Sequence, residues 1–194
     1  MMVLSWVSFW ITFFIAGCLL HQEDTIMIQP VTTTQLLNTL GLNAVLSFLF
    51  IPIANSIPTL IIVPDTWLGY MTRIILSLLI GDIIFYTSHR LLHYFYRWHK
   101  QHHQYIKPVA LAGLYASPVE YLISNHLSMV LPLKLIKSYS HSWLMIESAV
   151  VALNVAASHH KNDGLAAHHN LHHTQMNCNY GFSYVIDWIF GTLK

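Results

Sequence analysis

The sequence predicts an all-α fold, a multi-pass transmembrane bundle of about four to five spans or hairpins under a histidine-rich helical cap on the cytosolic side. Three observations predict it. Apolar residues make up 55% of the 194 positions and charged residues 9%, far from the balance that covers a water-soluble surface. Long uncharged runs recur along the chain. Most of the 14 histidines gather at the ends of these runs.

The runs can be taken in order. Val3 to Leu20 holds no charge and, at about 1.5 Å per residue, nearly spans a hydrocarbon layer of about 30 Å. A cleaved leader is the rival reading, but no positive charge precedes the run, so a retained anchor is expected. His21 to Thr34 carries Glu23, Asp24 and Pro30 and reads as a loop. Leu36 to Val63 is interrupted by Pro52 and Pro58, which suits either one kinked span or a hairpin. Trp67 and Tyr70 read as interfacial aromatics introducing a third span from about Met71 to Ser88. Val109 to Ile136 and Ser142 to Ala157 supply two further crossings, which return the chain to the face it left.

That return places His89 to His103 and His159 to His173 on one side of the membrane. Arg90, Arg97, Lys100, Lys107 and Lys161 share that side, against Arg73, Lys134 and Lys137 opposite, so the histidine face is expected to be cytoplasmic. A net charge of +1 with no basic stripe excludes a nucleic-acid partner. Cys18 and Cys178 are too few for a disulfide framework and are expected as free thiols.

Three histidine groups stand out: His89 with His93, His99 with His102 and His103, and His169 with His172 and His173. Positions three or four apart share a helical face, so two imidazoles one turn apart reach a common ion without backbone strain. Eight such side chains exceed what one four-coordinate ion uses, and two ions are the natural count. His159, His160 and His168 lie on the correct side to complete the sets, with His159 and His160 favoured by position, whereas His126 sits deep in an apolar run. His21 and His141 belong to no group and are expected to be structural. Asp82 and Tyr86 share the helical stripe of His89 and His93, which suits them to receive ring N–H groups of the ligands. Imidazole alone does not choose among zinc, copper, nickel and iron. The absence of a His-Glu-x-x-His run excludes the usual metalloprotease pattern.

From about Gly81 to Leu193 the sequence resembles the fatty acid hydroxylase and sterol desaturase superfamily of membrane di-iron oxygenases. The likeness is carried by Asp82, Tyr86, His89, Arg90 and His93; by His99, Lys100, His102 and His103; by Pro108, Pro118 and Glu120; and by His168 to His173, Asn179 to Gly181, Asp187 and Phe190 to Thr192. The resemblance implies two non-haem iron ions, molecular oxygen, electrons from cytochrome b5 or a reductase, a lipid substrate taken from the bilayer, and an endoplasmic-reticulum membrane. It implies that His89, His93, His99, His102, His103, His159, His160, His169, His172 and His173 hold metal, with His168 and His126 as further possibilities. It also implies that Asp82, Tyr86, Glu120, Asn179 and Asp187 support them. On this reading residues 1–70 form a membrane-spanning region and 71–194 the di-iron catalytic domain. The intervals His93 to His99 and His160 to His168 are shorter than is usual in the family, and Ile186 stands where its members carry Trp. Asn177 to Asn179 and Asp187 to Thr192 are similar to the sterol branch, so a sterol is the expected substrate, with fatty acyl, sphingolipid and alkylglycerol lipids as alternatives. From a different class, a membrane protein that stores or moves zinc or copper is the rival, and a relative that keeps the fold without activity is a third possibility.

Overall fold

The computed structural model describes residues 2–20, 25–137, 141–160 and 164–194. His21, Glu23, Asp24 and Lys161, all weighed above, lie outside the described residues, as does the side chain of His141. Helices predominate. In chain order they are α1 (Met2–Leu19), α2 (Thr33–Leu49), α3 (Ile51–Ser56), α4 (Trp67–Tyr94), α5 (Tyr96–His99), α6 (Pro118–Glu120), α7 (Leu127–Leu135), α8 (His141–Ser158), α9 (Gly164–Gln175) and α10 (Tyr184–Ile189). Among the described residues four short strands join in pairs. β1 (Ile26–Met27) runs antiparallel to β3 (Tyr105–Lys107), and β2 (Ile61–Ile62) parallel to β4 (Ile136–Lys137).

α1 packs along α8, although the two are far apart in sequence. Phe9, Phe13 and Ala16 recur at helical spacing and are buried with Ala152 and Ala156 of α8. Small residues at such a contact let two backbones approach closely, which is how helices associate where lipid removes the hydrophobic drive. The opposite faces carry Ile11, Ile15, Leu42, Val45, Ile75, Leu79, Val150 and Leu153, all exposed. An apolar outer surface is the pattern expected in hydrocarbon.

Among the described residues three helical stretches are long and apolar enough to cross a membrane: Met2–Leu19, Thr33–Ser56 and Trp67–Tyr94. α8 is apolar but shorter. Of the two alternatives for the proline-interrupted run, the chain takes a bent helix: α2 ends at Leu49 and α3 resumes with Pro52 in its first turn, where a missing N–H costs nothing. α2 begins at a capping box, in which Thr32 and Gln35 satisfy each other's backbone N–H groups. The stretch from Val109 differs from its expectation. It opens on a 3₁₀ turn at Ala110–Leu114 and becomes helical at Pro118, capped by Ser117; a π turn at Tyr121–His126 then leads into α7. α4 is longer than expected, extending six residues past Ser88 to carry both His89 and His93.

Arg73, counted above among the charges opposite the histidines, is not free to act as one. It is buried between α4 and α8, where Nε lies 2.9 Å from Glu147 Oε2 and the guanidinium also reaches the carbonyls of Ile136 and Leu133. A fully desolvated arginine needs such an acceptor set.

Candidate metal centre

Two sets of imidazoles converge where α4, the α5 region and α9 meet. The first comprises His89, His93, His99, His103 and His172; the second His102, His159, His169 and His173. Within each set the nitrogens that could serve as ligands lie within 4.8 Å of one another. α4 presents His89 and His93 one turn apart. The tight run from α5 through the 3₁₀ turn at His102–Gln104 splits neighbours between the sets, sending His99 and His103 to one and His102 to the other. α9 divides its residues likewise, His172 to the first set and His169 and His173 to the second. The end of α8 adds His159.

The outer hydrogen bonds fix which nitrogen of several rings carries the proton. Nδ1 of His89 lies 2.7 Å from the Tyr180 carbonyl, Nδ1 of His172 2.7 Å from that of Cys178, and Nδ1 of His173 2.7 Å from that of Tyr105. Nδ1 of His159 is 2.9 Å from the Val155 carbonyl. A carbonyl only accepts, so each of these Nδ1 atoms donates and leaves a lone pair on Nε2. Those lone pairs point inward. Nε2 of His99 lies 3.0 Å from Nε2 of His89 and 2.9 Å from that of His103, while Nε2 of His172 lies 3.1 Å from that of His93 and 3.2 Å from that of His103. One N–H cannot satisfy two facing acceptors, and a cation at the focus satisfies all of them. The donor chemistry therefore fits a metal ion in each set, with neutral imidazoles and no carboxylate among the ligands.

The loop after α9 supplies two of the four carbonyls. Asp187 receives the N–H groups of Tyr180 and Gly181, each at 2.8 Å, and the Thr192 hydroxyl at 2.7 Å. Asn179 adopts a left-handed conformation (φ 55°), donates to the His168 carbonyl at 2.9 Å and accepts from the Lys194 N–H at 2.8 Å; asparagine tolerates that backbone better than most residues. Asp82 accepts from the Phe182 N–H at 2.9 Å and from the Ser183 hydroxyl. At Gly181 a Cβ would fall 2.7 Å from Asp82 Oδ1 and 3.0 Å from Asp187 Oδ2, so glycine lets the chain thread between the two carboxylates.

Of the supporting residues expected from sequence, Glu120 is the one whose carboxylate meets a ring of these sets: its Oε1 lies 2.9 Å from His99 Nδ1. Asp82 and Tyr86 act further out than their shared stripe suggests. Asp82 fixes the loop that holds His89, and the Tyr86 hydroxyl takes the Arg90 guanidinium at 2.7 Å while its ring stacks on Phe190. His160 belongs to neither set. His168 lies beside Asp187 at 3.3 Å and against the Tyr184 ring, and His126 packs against Phe50 and Tyr121. These three fall outside because α8 ends before His160, His168 turns to Asp187 and Tyr184, and the π turn seats His126 between Phe50 and Tyr121. Sequence reasoning missed the four carbonyls, which no residue type announces. Cys18 and Cys178 are free, as expected.

Burial holds His99 down to about 2 with help from His93 and His172, His172 to about 3, and His159 to about 4. His102, His103, His169 and His173 are shifted the same way, chiefly by burial and then by their neighbours. In the metal-free protein these rings stay neutral near pH 7, the state that binds metal. An unfolded chain protonates them near their ordinary value of about 6.5 and so binds more protons than the folded one below it. The stability they contribute is present above pH 6.5 and is lost as pH falls toward the folded values. The thermal midpoint of metal-free protein in detergent is expected to be level from pH 8 to 7 and to fall steadily below 6.5; a midpoint unchanged down to pH 5 would refute this.

Gly113 yields a second prediction. A Cβ there would meet His159 Nδ1 at 2.8 Å and the Val155 carbonyl at 3.0 Å. Neither neighbour can give way without breaking their mutual hydrogen bond. Gly113→Ala is expected to cost about 1–3 kcal/mol and to weaken metal retention in the four-histidine set first, as read by metal content after dialysis.

A cavity opens beside both sets. His89, His102, His159 and His169 line one end, and its walls are largely apolar, from Leu78 and Phe85 of α4 and Val150, Val151 and Val155 of α8.

Comparison with known proteins gives a consistent picture. The family model described as fatty acid hydroxylase matches residues 74–192. Human fatty acid hydroxylase domain-containing protein 2 is 30% identical over 133 residues, 66% of this chain and 40% of that protein. Methylsterol monooxygenase 2-2 of Arabidopsis thaliana is 29% identical over 148 residues, covering 66% and 55%. A very-long-chain aldehyde decarbonylase of Oryza sativa is 27% identical over 166 residues, covering 76% and 60%. The chain thus spans between two fifths and three fifths of the length of these relatives. No solved structure matches.

Proposed function

The chain belongs to the fatty acid hydroxylase family, and from that premise we propose that it is a membrane-bound non-haem di-iron oxygenase that hydroxylates or desaturates a lipid. A sterol is the leading substrate, with fatty acyl or sphingolipid chains as the alternative. Molecular oxygen is the oxidant, and cytochrome b5 or a reductase supplies electrons. The observation that carries this reading is the inward convergence of imidazole lone pairs in two adjacent sets beside an apolar cavity.

On this reading His89, His93, His99, His103 and His172 hold one ion, and His102, His159, His169 and His173 hold the other. Irons bound there supply the activation of oxygen against a C–H bond, chemistry that belongs to the cofactor. The protein's own part is positioning. The carbonyls of Tyr180, Cys178, Tyr105 and Val155 lock four rings in the binding tautomer. Glu120 orients His99 and also lines the cavity. The walls from α4 and α8 exclude water and offer a lipid a sideways entry from the bilayer, so that one C–H bond is presented by shape. His160, His168 and His126 are assigned no ligand role. The histidine end is assigned to the cytosolic face of the endoplasmic reticulum; Arg90, Arg97, Lys100 and Lys107 support that orientation, while Arg73, being buried with Glu147, no longer weighs against it.

Metal analysis after anaerobic loading with ferrous iron tests the proposal. About two irons per chain, with oxygen- and reductant-dependent appearance of an oxidised lipid, is the expected result. Tight zinc or copper with no turnover after iron loading would favour a metal-storage protein instead.

A further inference from the structure

The cavity beside the histidines has a second, polar end. Ser77 of α4 and Glu147 of α8 line it there, close to Leu133 of α7. Along α4, Ser77 precedes His89 by twelve residues, and along α8, Glu147 precedes His159 by the same number. Each wall therefore separates the two ends by about 18 Å. Between them the lining is mostly apolar.

Glu147 is 4% exposed, and its two carboxylate oxygens differ. Oε2 receives Arg73 Nε at 2.9 Å, while Oε1 faces the neighbouring hydroxyl of Ser77, which donates to the carboxylate, and neither atom has a further partner among the described residues. One serine hydroxyl leaves lone pairs free on both Oε1 and Oγ, and these two atoms sit on the wall of a cavity. The Arg73–Glu147 pair is already neutral in sum, so a cationic head would bring an uncompensated charge into hydrocarbon, whereas a hydroxyl donates to Oε1 without one.

We propose that Glu147 Oε1 and Ser77 Oγ form a headgroup subsite that takes the hydroxyl of a lipid alcohol, and that the C–H bond presented to the histidines lies on the order of 15 Å from that hydroxyl. The inference rests on the oxygenase reading for the meaning of the histidine end, though the subsite itself is a matter of binding. It excludes substrates oxidised at the carbon adjoining their head.

The test compares 1-hexadecanol with its methyl ether, and cholesterol with its methyl ether, by competition binding to the purified full chain in detergent. In at least one pair the free alcohol is expected to bind about tenfold or more tightly than the ether, which cannot donate. Ser77→Ala is expected to shrink that ratio, and the double variant Arg73→Met/Glu147→Leu, which removes both charges together, to bring it near one. A ratio near one in the unaltered protein overturns the subsite, as does an unchanged ratio in Ser77→Ala or in the folded double variant. In the iron-loaded protein, oxidation at a carbon remote from the hydroxyl is the expected product pattern, and oxidation beside the hydroxyl overturns the proposal. Selective binding with no oxidised product would retire the oxygenase reading and leave the subsite standing.

Discussion

His99→Ala is expected to lower iron content from about two to about one per chain and to reduce lipid oxidation by at least on the order of 100-fold. His99 is the hub of the five-histidine set, since its Nε2 lies within 3.0 Å of Nε2 in both His89 and His103. Removing it deletes one donor and takes away the ring that both His89 and His103 face. The four-histidine set keeps all its donors and should retain its ion. Glu120→Gln makes the informative companion. It preserves the shape beside His99 but replaces the carboxyl oxygen 2.9 Å from Nδ1 with an amide, so a loss of about 10- to 100-fold in metal affinity, without loss of fold, is expected. Iron quantification and circular dichroism on the same samples check both. An His99→Ala protein holding two irons would show that this ring is no ligand.

Arg73→Met is expected to destabilise the protein by about 3–5 kcal/mol, because it strands the Glu147 carboxylate between two helices. The double variant Arg73→Met/Glu147→Leu should recover most of that loss, since two apolar side chains of similar volume replace a desolvated pair. Unfolding in detergent, followed by tryptophan emission, measures both. Equal stability of the single variant and the unaltered chain would mean that water reaches the carboxylate.

Much of this architecture was legible in the residues. The uncharged runs gave α1, the bent α2–α3 and α4, because a hydrocarbon solvent leaves a polar interruption few places to hide. The three- and four-residue histidine spacings gave eight of the nine rings in the two sets, since helical pitch puts such positions on one face; His159 was read from its position along the chain. His160 lies in neither set for a reason periodicity cannot see: α8 ends at Ser158, and of the two neighbours that follow it His159 is the one that joins a set. Asp82 and Tyr86 shared the correct stripe, yet the loop from Asn177 to Ser183 lies between that stripe and the rings, and a loop's path has no period to read. Arg73 was counted with the charges opposite the histidines because its partner, 74 positions away, leaves no local signal. Backbone carbonyls, which fix four of the rings, carry no signature in side-chain chemistry.

The aromatic clasp at the foot of α4 bears on which lipids can reach this protein. Tyr70 stacks on Trp143 with ring centroids 4.4 Å apart, and Trp67 meets the same indole edge-on at 5.7 Å. Such rings settle at the boundary between tails and headgroups, and Glu147 stands about one helical turn inward from Trp143. A lipid alcohol resident in the leaflet that this clasp borders would meet Glu147 without inverting, its tail already directed toward the histidines. The same molecule in the other leaflet would have to flip before it could bind, so the sidedness of the lipid supply, and not its amount alone, would govern turnover.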